Sequence, residues 1–226
     1  MVKSLFLAGA LGLALLACSS SSSPVANDAK LTRMTPSLDS IPADQVDTAT
    51  LGGGCFWCVE AVLQQVEGIY SVVSGYSGGK AEEADYETVS SGLTHHAEVV
   101  QVYFDPRVIS FADILEIFWS THNPTTLNRQ GNDVGPQYRS VIFYHNEAQK
   151  AIAEQSKKEV ATQFWDGPIV TEISPFTGFW PAEEYHQNYY ENVGDRNPYC
   201  TYIITPKVEK LKKLYKDKLK EEYRHE

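Results

Sequence analysis

Two cysteines three residues apart, Cys55 and Cys58, follow directly on Gly52-Gly53-Gly54. A short strand, Ala49-Thr50-Leu51, runs into that glycine stop, and helical spacing begins after it. Cys55 therefore stands at the first turn of a helix. Unpaired N–H groups and the helix dipole at that point stabilise a thiolate. A thiolate is nucleophile, metal ligand and redox centre alike. The Cys-x-x-Cys spacing is that of a redox pair. A zinc site needs two further ligands in similar local spacing, and Cys200 and the histidines are scattered along the chain, so no metal is expected. Inert buried cysteines are commoner in general, but a glycine-preceded helix start beside Phe56 and Trp57 argues against them here. Those two aromatics would line an apolar pocket. The rival reading is a general thiol–disulfide oxidoreductase using Cys55 and Cys58, since thioredoxin-like proteins also place the pair at a helix start.

The elements that must hold this pair are legible in outline. Val59, Val62, Leu63 and Val66 keep helical spacing over residues 55–67, and Gly68 ends the helix. Residues 69–76 are β-branched and aromatic and close at Gly78-Gly79. Residues 98–104 form the clearest strand, stopped by Asp105-Pro106. A helix over 111–119 is capped by Ser110. Residues 140–144 read as a strand, 147–163 as a helix, and 169–173 as an edge strand. Strand, helix, strand, strand, helix, strand is the split βαβ order. The expected fold is α+β: a two-layer ferredoxin-like sandwich with long irregular loops and a C-terminal helix. It lacks the βαβ layout that a thioredoxin-like protein uses. The irregular stretches, 123–138 and 166–200 with a helical patch over 183–190, have the length of functional loops.

The chain has 226 residues, 42% apolar and 21% charged, with formal net charge −10. It can bury a core, and its acidity gives no electrostatic reason to bind nucleic acid. Residues 1–17 read as a signal peptide: Lys3, then an uncharged apolar run too short to span a bilayer comfortably. Leu15-Leu16-Ala17-Cys18 followed by five serines resembles a bacterial lipoprotein box, with Cys18 lipidated. Residues 18–47 read as a Ser- and Pro-containing tether. The expected location is the bacterial cell envelope, lipid-anchored through Cys18 and facing the periplasm. Ser19 argues against inner-membrane retention and leaves the outer membrane open. The catalytic domain is expected over 48–205. Residues 206–226 read as a basic amphipathic helix, with Val208, Leu211, Leu214, Tyr215 and Leu219 on one face. That helix would dock by one face on an acidic body; the sharper reading is contact with anionic headgroups beside the anchor.

Several blocks then identify a resemblance. Gly54-Cys55-Phe56-Trp57, Gly75-Tyr76-Ser77-Gly78-Gly79, Asp85-Tyr86-Glu87-Thr88-Val89 and His96-Ala97-Glu98-Val99-Val100 occur in order. Asn132-Asp133-Val134-Gly135-Pro136-Gln137-Tyr138, Ala182-Glu183-Glu184-Tyr185-His186-Gln187 and Pro198-Tyr199-Cys200 follow. Together they resemble the A-type peptide methionine sulfoxide reductases. The resemblance implies reduction of the S epimer of methionine sulfoxide, free or in proteins, to methionine in repair of oxidative damage. It implies Cys55 as nucleophile, Glu98 as proton donor, Tyr86 and Tyr138 as phenols on the sulfoxide oxygen, and Phe56 and Trp57 around the methyl group. Asp133 matches a position that orders a loop, and His186 one near the pocket. The Cys55 sulfenic acid would be resolved as an intramolecular disulfide by Cys200, the favoured first resolver, or by Cys58, which could also act second in a relay. No bound cofactor is implied; thioredoxin or a thioredoxin-like protein would supply electrons, and the protein would act as a monomer. Two departures stand out. His95 replaces a usual glycine, and the tail lacks a Gly-rich stretch with a further cysteine.

Overall fold

The computed structural model describes residues 41–225. Cys18, the signal peptide and most of the tether therefore lie outside the described residues. The chain runs through β1 (Asp47–Gly53), α1 (Phe56–Leu63), β2 (Ile69–Ser77), α2 (Tyr86–Ser90), β3 (Ala97–Phe104) and α3 (Phe111–Thr121). It continues through β4 (Arg129–Gln130), β5 (Asp133–Val134), β6 (Ser140–Tyr144), α4 (Glu147–Glu159) and α5 (Ala161–Phe164). The last elements are β7 (Glu172–Pro175), β8 (Phe179–Pro181), α6 (Tyr189–Val193) and α7 (Thr205–Leu214).

The main sheet has the order β7-β6-β1-β3-β2-β8. Its inner four strands are mutually antiparallel, and β7 adds a parallel edge to β6. The α+β expectation and the strand–helix–strand–strand–helix–strand order hold. The edge strand lies at Glu172–Pro175, a few residues later than expected, and β8 and the β4–β5 hairpin are additions. The helix expected over 147–163 is interrupted at Val160, where α4 gives way to α5.

Strand alternation sorts side chains between two faces. Ala49 and Leu51 of β1 and Val100, Val102 and Phe104 of β3 join the main core, with Val62, Leu63, Ile114, Ile117 and Phe118 from α1 and α3. Ala97, Val99, Val141 and Phe143 point to the opposite face and form a smaller cluster. Glu98 shares the parity of Val100 and Val102, so the sheet aims it at the helical layer.

The C-terminal segment differs from the single helix expected over 206–226. α7 stops at Leu214, and 3-10 turns follow at Lys216–Lys218 and Glu221–Tyr223. Val208, Leu211, Tyr215, Leu219 and Tyr223 are buried, but Leu214 is 47% exposed and leaves the docked face. Leu219 pairs with Val66 in an isolated bridge, which pulls the tail off the helical path. Among the described residues no helix is long and apolar enough to cross a membrane.

The turn from β1 into α1 fixes where the cysteines sit. Gly53 faces α1 and α3 so closely that a Cβ would lie 2.9 Å from Phe118. Gly54 has φ +93°, and a Cβ there would lie 2.5 Å from the Gln130 side chain. Gln130 cannot swing away freely, because its amide accepts from the Asn123 N–H and donates to the Asn123 carbonyl. Gly54→Ala should therefore destabilise the protein by about 1–3 kcal/mol, the cost of one strained backbone position. Urea unfolding measures this; a midpoint equal to wild type would contradict it.

Candidate active site

β1 ends, β3 and β6 begin, and β2 ends at one edge of the sheet, because these neighbours are antiparallel. That edge gathers the predicted residues. Cys55 caps α1 with φ −53° and ψ 126°, and Cys58 lies one turn on, its N–H bonded to the Cys55 carbonyl at 3.0 Å. Glu98 comes from the start of β3, opposite Tyr76 of β2. Tyr138 closes the 3-10 turn Pro136–Tyr138 just before β6. Tyr86 opens α2, whose N-cap Asp85 accepts from the Thr88 N–H. α2 is the helix that sequence periodicity missed, being only five residues long.

Glu98 is 2% exposed and accepts the Phe56 N–H through Oε2 at 3.0 Å. Burial pushes its carboxyl up to about 8, with Asp133 and Cys58 adding repulsion and the Phe56 bond opposing. It is thus mostly protonated at neutral pH. Tyr86 and Tyr138 are raised by burial and by the nearby acids Glu98 and Cys55. Both phenols keep their protons and can donate.

The cysteine pair corrects one expectation. A thiolate was expected on Cys55 from its place at the helix start. Instead burial pushes the Cys55 thiol up, and its hydrogen bond with Cys58 and the Glu98 carboxyl push it further. The helix-start N–H of Trp57 still favours the thiolate, but burial outweighs it. Cys58 moves the other way, to about 6, held by the hydrogen bond from Cys55 and by Lys207 and Tyr199 against its burial. Within the pair the Cys55 thiol is thus pushed up and the Cys58 thiol drawn down.

Aromatic rings enclose the cysteine from one side. His186 packs 5.1 Å from Phe56, 5.5 Å from Trp57 and 4.4 Å from Tyr86, ring centre to ring centre. It is 2% exposed, and burial lowers its imidazole, so it is neutral. Trp57 stacks on Tyr189 at 3.7 Å and 7°. Asp133 lies on the β4–β5 hairpin and accepts from the Tyr199 hydroxyl at 2.6 Å. Tyr199 in turn stands 3.8 Å from Cys58 Sγ. Asp133 therefore reaches the cysteines through Tyr199.

Cys200 was expected on an irregular segment free to move. It opens a π-helical turn, Cys200–Ile204, that runs into α7, and it is 1% exposed. Burial raises its thiol, and the Cys58 charge raises it further. The helical patch expected over 183–190 is a 3-10 turn, Glu184–His186, followed by α6.

Sequence reasoning missed three polar side chains that hold the site together. Glu60 is fully buried on α1 and accepts the Asn188 and Tyr189 N–H groups at 3.0 and 3.2 Å. This secures the left-handed turn at Asn188 (φ 51°) and so the Tyr189 ring on Trp57. Glu183 accepts the Tyr86 N–H at 2.9 Å and the Tyr76 hydroxyl at 3.0 Å, tying α2 to the sheet. Gln187 bonds both backbone groups of Ser74, with donor–acceptor distances of 3.0 and 2.9 Å. A glutamate inside the otherwise apolar run of α1 was the available signal for Glu60. Among the described residues no group of three His, Cys, Asp or Glu side chains could hold a metal ion.

Known proteins match this arrangement. The family described as peptide methionine sulfoxide reductase matches residues 47–219. A peptide methionine sulfoxide reductase of Leptospira borgpetersenii is 57% identical over 168 residues, covering 74% of this chain and 94% of that one. One from Saccharolobus solfataricus is 54% identical over 175 residues, covering 77% and 98%. Among solved structures, reduced Mxr1 from Saccharomyces cerevisiae superposes with a TM-score of 0.62 at 33% identity, covering 68% of this chain and 89% of that one. Methionine sulfoxide reductase A of Corynebacterium diphtheriae gives 0.61 at 29%, covering 71% and 80%. With the two cysteines, the buried carboxyl and the phenols gathered at one sheet edge, the chain belongs to the peptide methionine sulfoxide reductase family.

Proposed function

We propose a division of labour for a chain that reduces the S epimer of methionine sulfoxide to methionine and so repairs oxidised protein. Cys55 is the nucleophile, Glu98 the proton donor, and Tyr86 and Tyr138 the donors to the sulfoxide oxygen. The observation that carries this is a carboxyl kept neutral by burial within one hydrogen bond of the helix turn that bears Cys55.

The sulfoxide sulfur is electrophilic, but its oxygen cannot leave as oxide. Glu98 gives that oxygen its proton as Cys55 sulfur attacks, and the two phenols stabilise the charge developing on oxygen. The Cys55 proton passes to the emptied Glu98 carboxylate. The protonated oxygen then passes from the substrate sulfur to the Cys55 sulfur as the bond between the two sulfurs breaks; methionine leaves as the thioether and Cys55 is left as a sulfenic acid. In net terms a thiol and a sulfoxide become a sulfenic acid and a thioether, with no proton gained or lost. Phe56, Trp57 and His186 supply the apolar wall that would hold the methyl group and keep Glu98 dry. Asp133 acts on this pocket through Tyr199. Regeneration passes through an intramolecular disulfide, reduced by thioredoxin or a thioredoxin-like dithiol, which needs a disulfide to attack. The protein would work as a monomer, lipid-anchored through Cys18 in the envelope. The apolar run ending in Leu15-Leu16-Ala17-Cys18 supports the anchor.

Cys55→Ser should abolish methionine formation from an S-sulfoxide peptide even with excess dithiol; near-wild-type turnover would sink the nucleophile assignment. In single turnovers the acid form of Glu98 must be present. Its contribution should therefore fall away as pH rises through about 8. Glu98→Gln should slow methionine release by roughly 10²-fold, the scale of general acid catalysis, and should lack that falling limb. The same limb in both proteins would show that another group causes it. For the anchor, Cys18→Ala should move the protein from the membrane fraction to the soluble one; unchanged partitioning would contradict lipidation.

A further inference from the structure

α7 carries one basic residue into a cleft that it shares with Cys58. A cleft between α1, α3 and α7 is lined by Cys58, Phe118, His122 and Lys207. Lys207 shares that cleft with Cys58 and draws its thiol down, and Tyr199 approaches the Cys58 sulfur at 3.8 Å. The other ionisable groups around Cys58 are Cys55 on α1, Cys200 on the π-turn, Glu98 on β3 and His122 on α3. Burial lowers His122 to about 3, so it is neutral, and Lys207 is the cation of this set. Pro206 starts α7, and buried Val208 and Leu211 clamp it to the body, so the lysine stem is delivered from a fixed helix.

We propose that Lys207 is a positioning residue for the second half of the reaction: it holds Cys58 as the thiolate that closes a disulfide on oxidised Cys55. This rests on the assignment of Cys55 as the nucleophile. Cys58 sulfur attacks Cys55 sulfur, an S–S bond forms and the S–O bond breaks. The electron pair of the Cys58 thiolate makes the new bond, so Cys58 is oxidised and the sulfenic sulfur reduced. The departing hydroxide takes the proton of Glu98 and leaves as water. Cys58 can reach because it sits one helical turn from Cys55. The Lys207 charge in the same cleft favours the thiolate, the form the attack needs. Cys200, raised by burial, is the poorer first attacker and would exchange with the new disulfide afterwards.

The full chain, mixed with one equivalent of S-sulfoxide peptide and no reductant, separates the two halves. Methionine release reports the first. Decay of the sulfenic acid, trapped at intervals with a 1,3-dione probe, and peptide mapping of the Cys55–Cys58 disulfide report the second. Lys207→Met and Lys207→Gln should release methionine at the wild-type rate. They should slow sulfenic acid decay by about tenfold, the size of one charge-assisted hydrogen bond, and Lys207→Arg should restore most of it. In a Cys58→Ser background Lys207→Met should add nothing. Wild-type decay in both Lys207 variants, or equal slowing with and without Cys58, would overturn the proposal. Loss of methionine release in a natively folded Lys207 variant would also overturn it, by placing Lys207 in the first step. Loss of release in Cys55→Ser alone tests the underlying assignment separately.

Discussion

The Glu98 carboxyl against the Phe56 N–H is the contact on which the site depends. A helix start needs an acceptor for its free N–H groups, and Cys55 offers no side-chain cap. β3 supplies one from across the layer. The same bond brings the carboxyl to the cysteine turn, inside a core where charge is costly. That interaction joins α1 to the sheet, and burial outweighs its pull toward the carboxylate, so the carboxyl stays neutral. Sheet parity makes it available, because Glu98 points where Val100, Val102 and Phe104 point.

Around that contact the segment between β8 and α7 closes the pocket through polar anchors. Glu60 holds the backbone that stacks Tyr189 on Trp57, Glu183 holds the start of α2 and so Tyr86, and Gln187 fastens the segment to β2. A buried acceptor that loses its donors costs more than the bond itself contributes, so these anchors hold their loops to single positions. The aromatic wall is rigid for that reason, although almost none of it lies in a long regular element. Acid, phenols and rings serve the removal of oxygen, and Lys207, in the cleft with Cys58, serves the thiol that follows.

Local spacing carried much of this in the sequence. The glycine stop, the helix turn with Cys55 and Cys58, the clearest strand with Glu98 at its start and the six-element order all depend on neighbours a few residues apart. What the chain did not disclose depends on partners far away. The Glu60–Asn188 bond spans 128 residues and the Tyr76–Glu183 bond 107, and neither leaves a period that discloses the pairing, although Tyr76 and Glu183 each lie in a recognisable block. The Cys55 thiol is raised for the same reason: helix-start physics is local, and the burial that outweighs it comes from tertiary packing. The tail read as one helix because its apolar spacing persists to Leu219, while the bridge to Val66 that bends it away is a tertiary contact.

The central claim is that burial holds Glu98 as a neutral acid at the pH where the enzyme works. A direct measurement is the titration of its carboxyl carbon by NMR in protein labelled with 13C-glutamate, assigned by comparison with Glu98→Gln. The account predicts a midpoint near pH 8. A midpoint close to the ordinary glutamate value of about 4.3 would contradict it, because the proton that must reach the sulfoxide oxygen would then be absent.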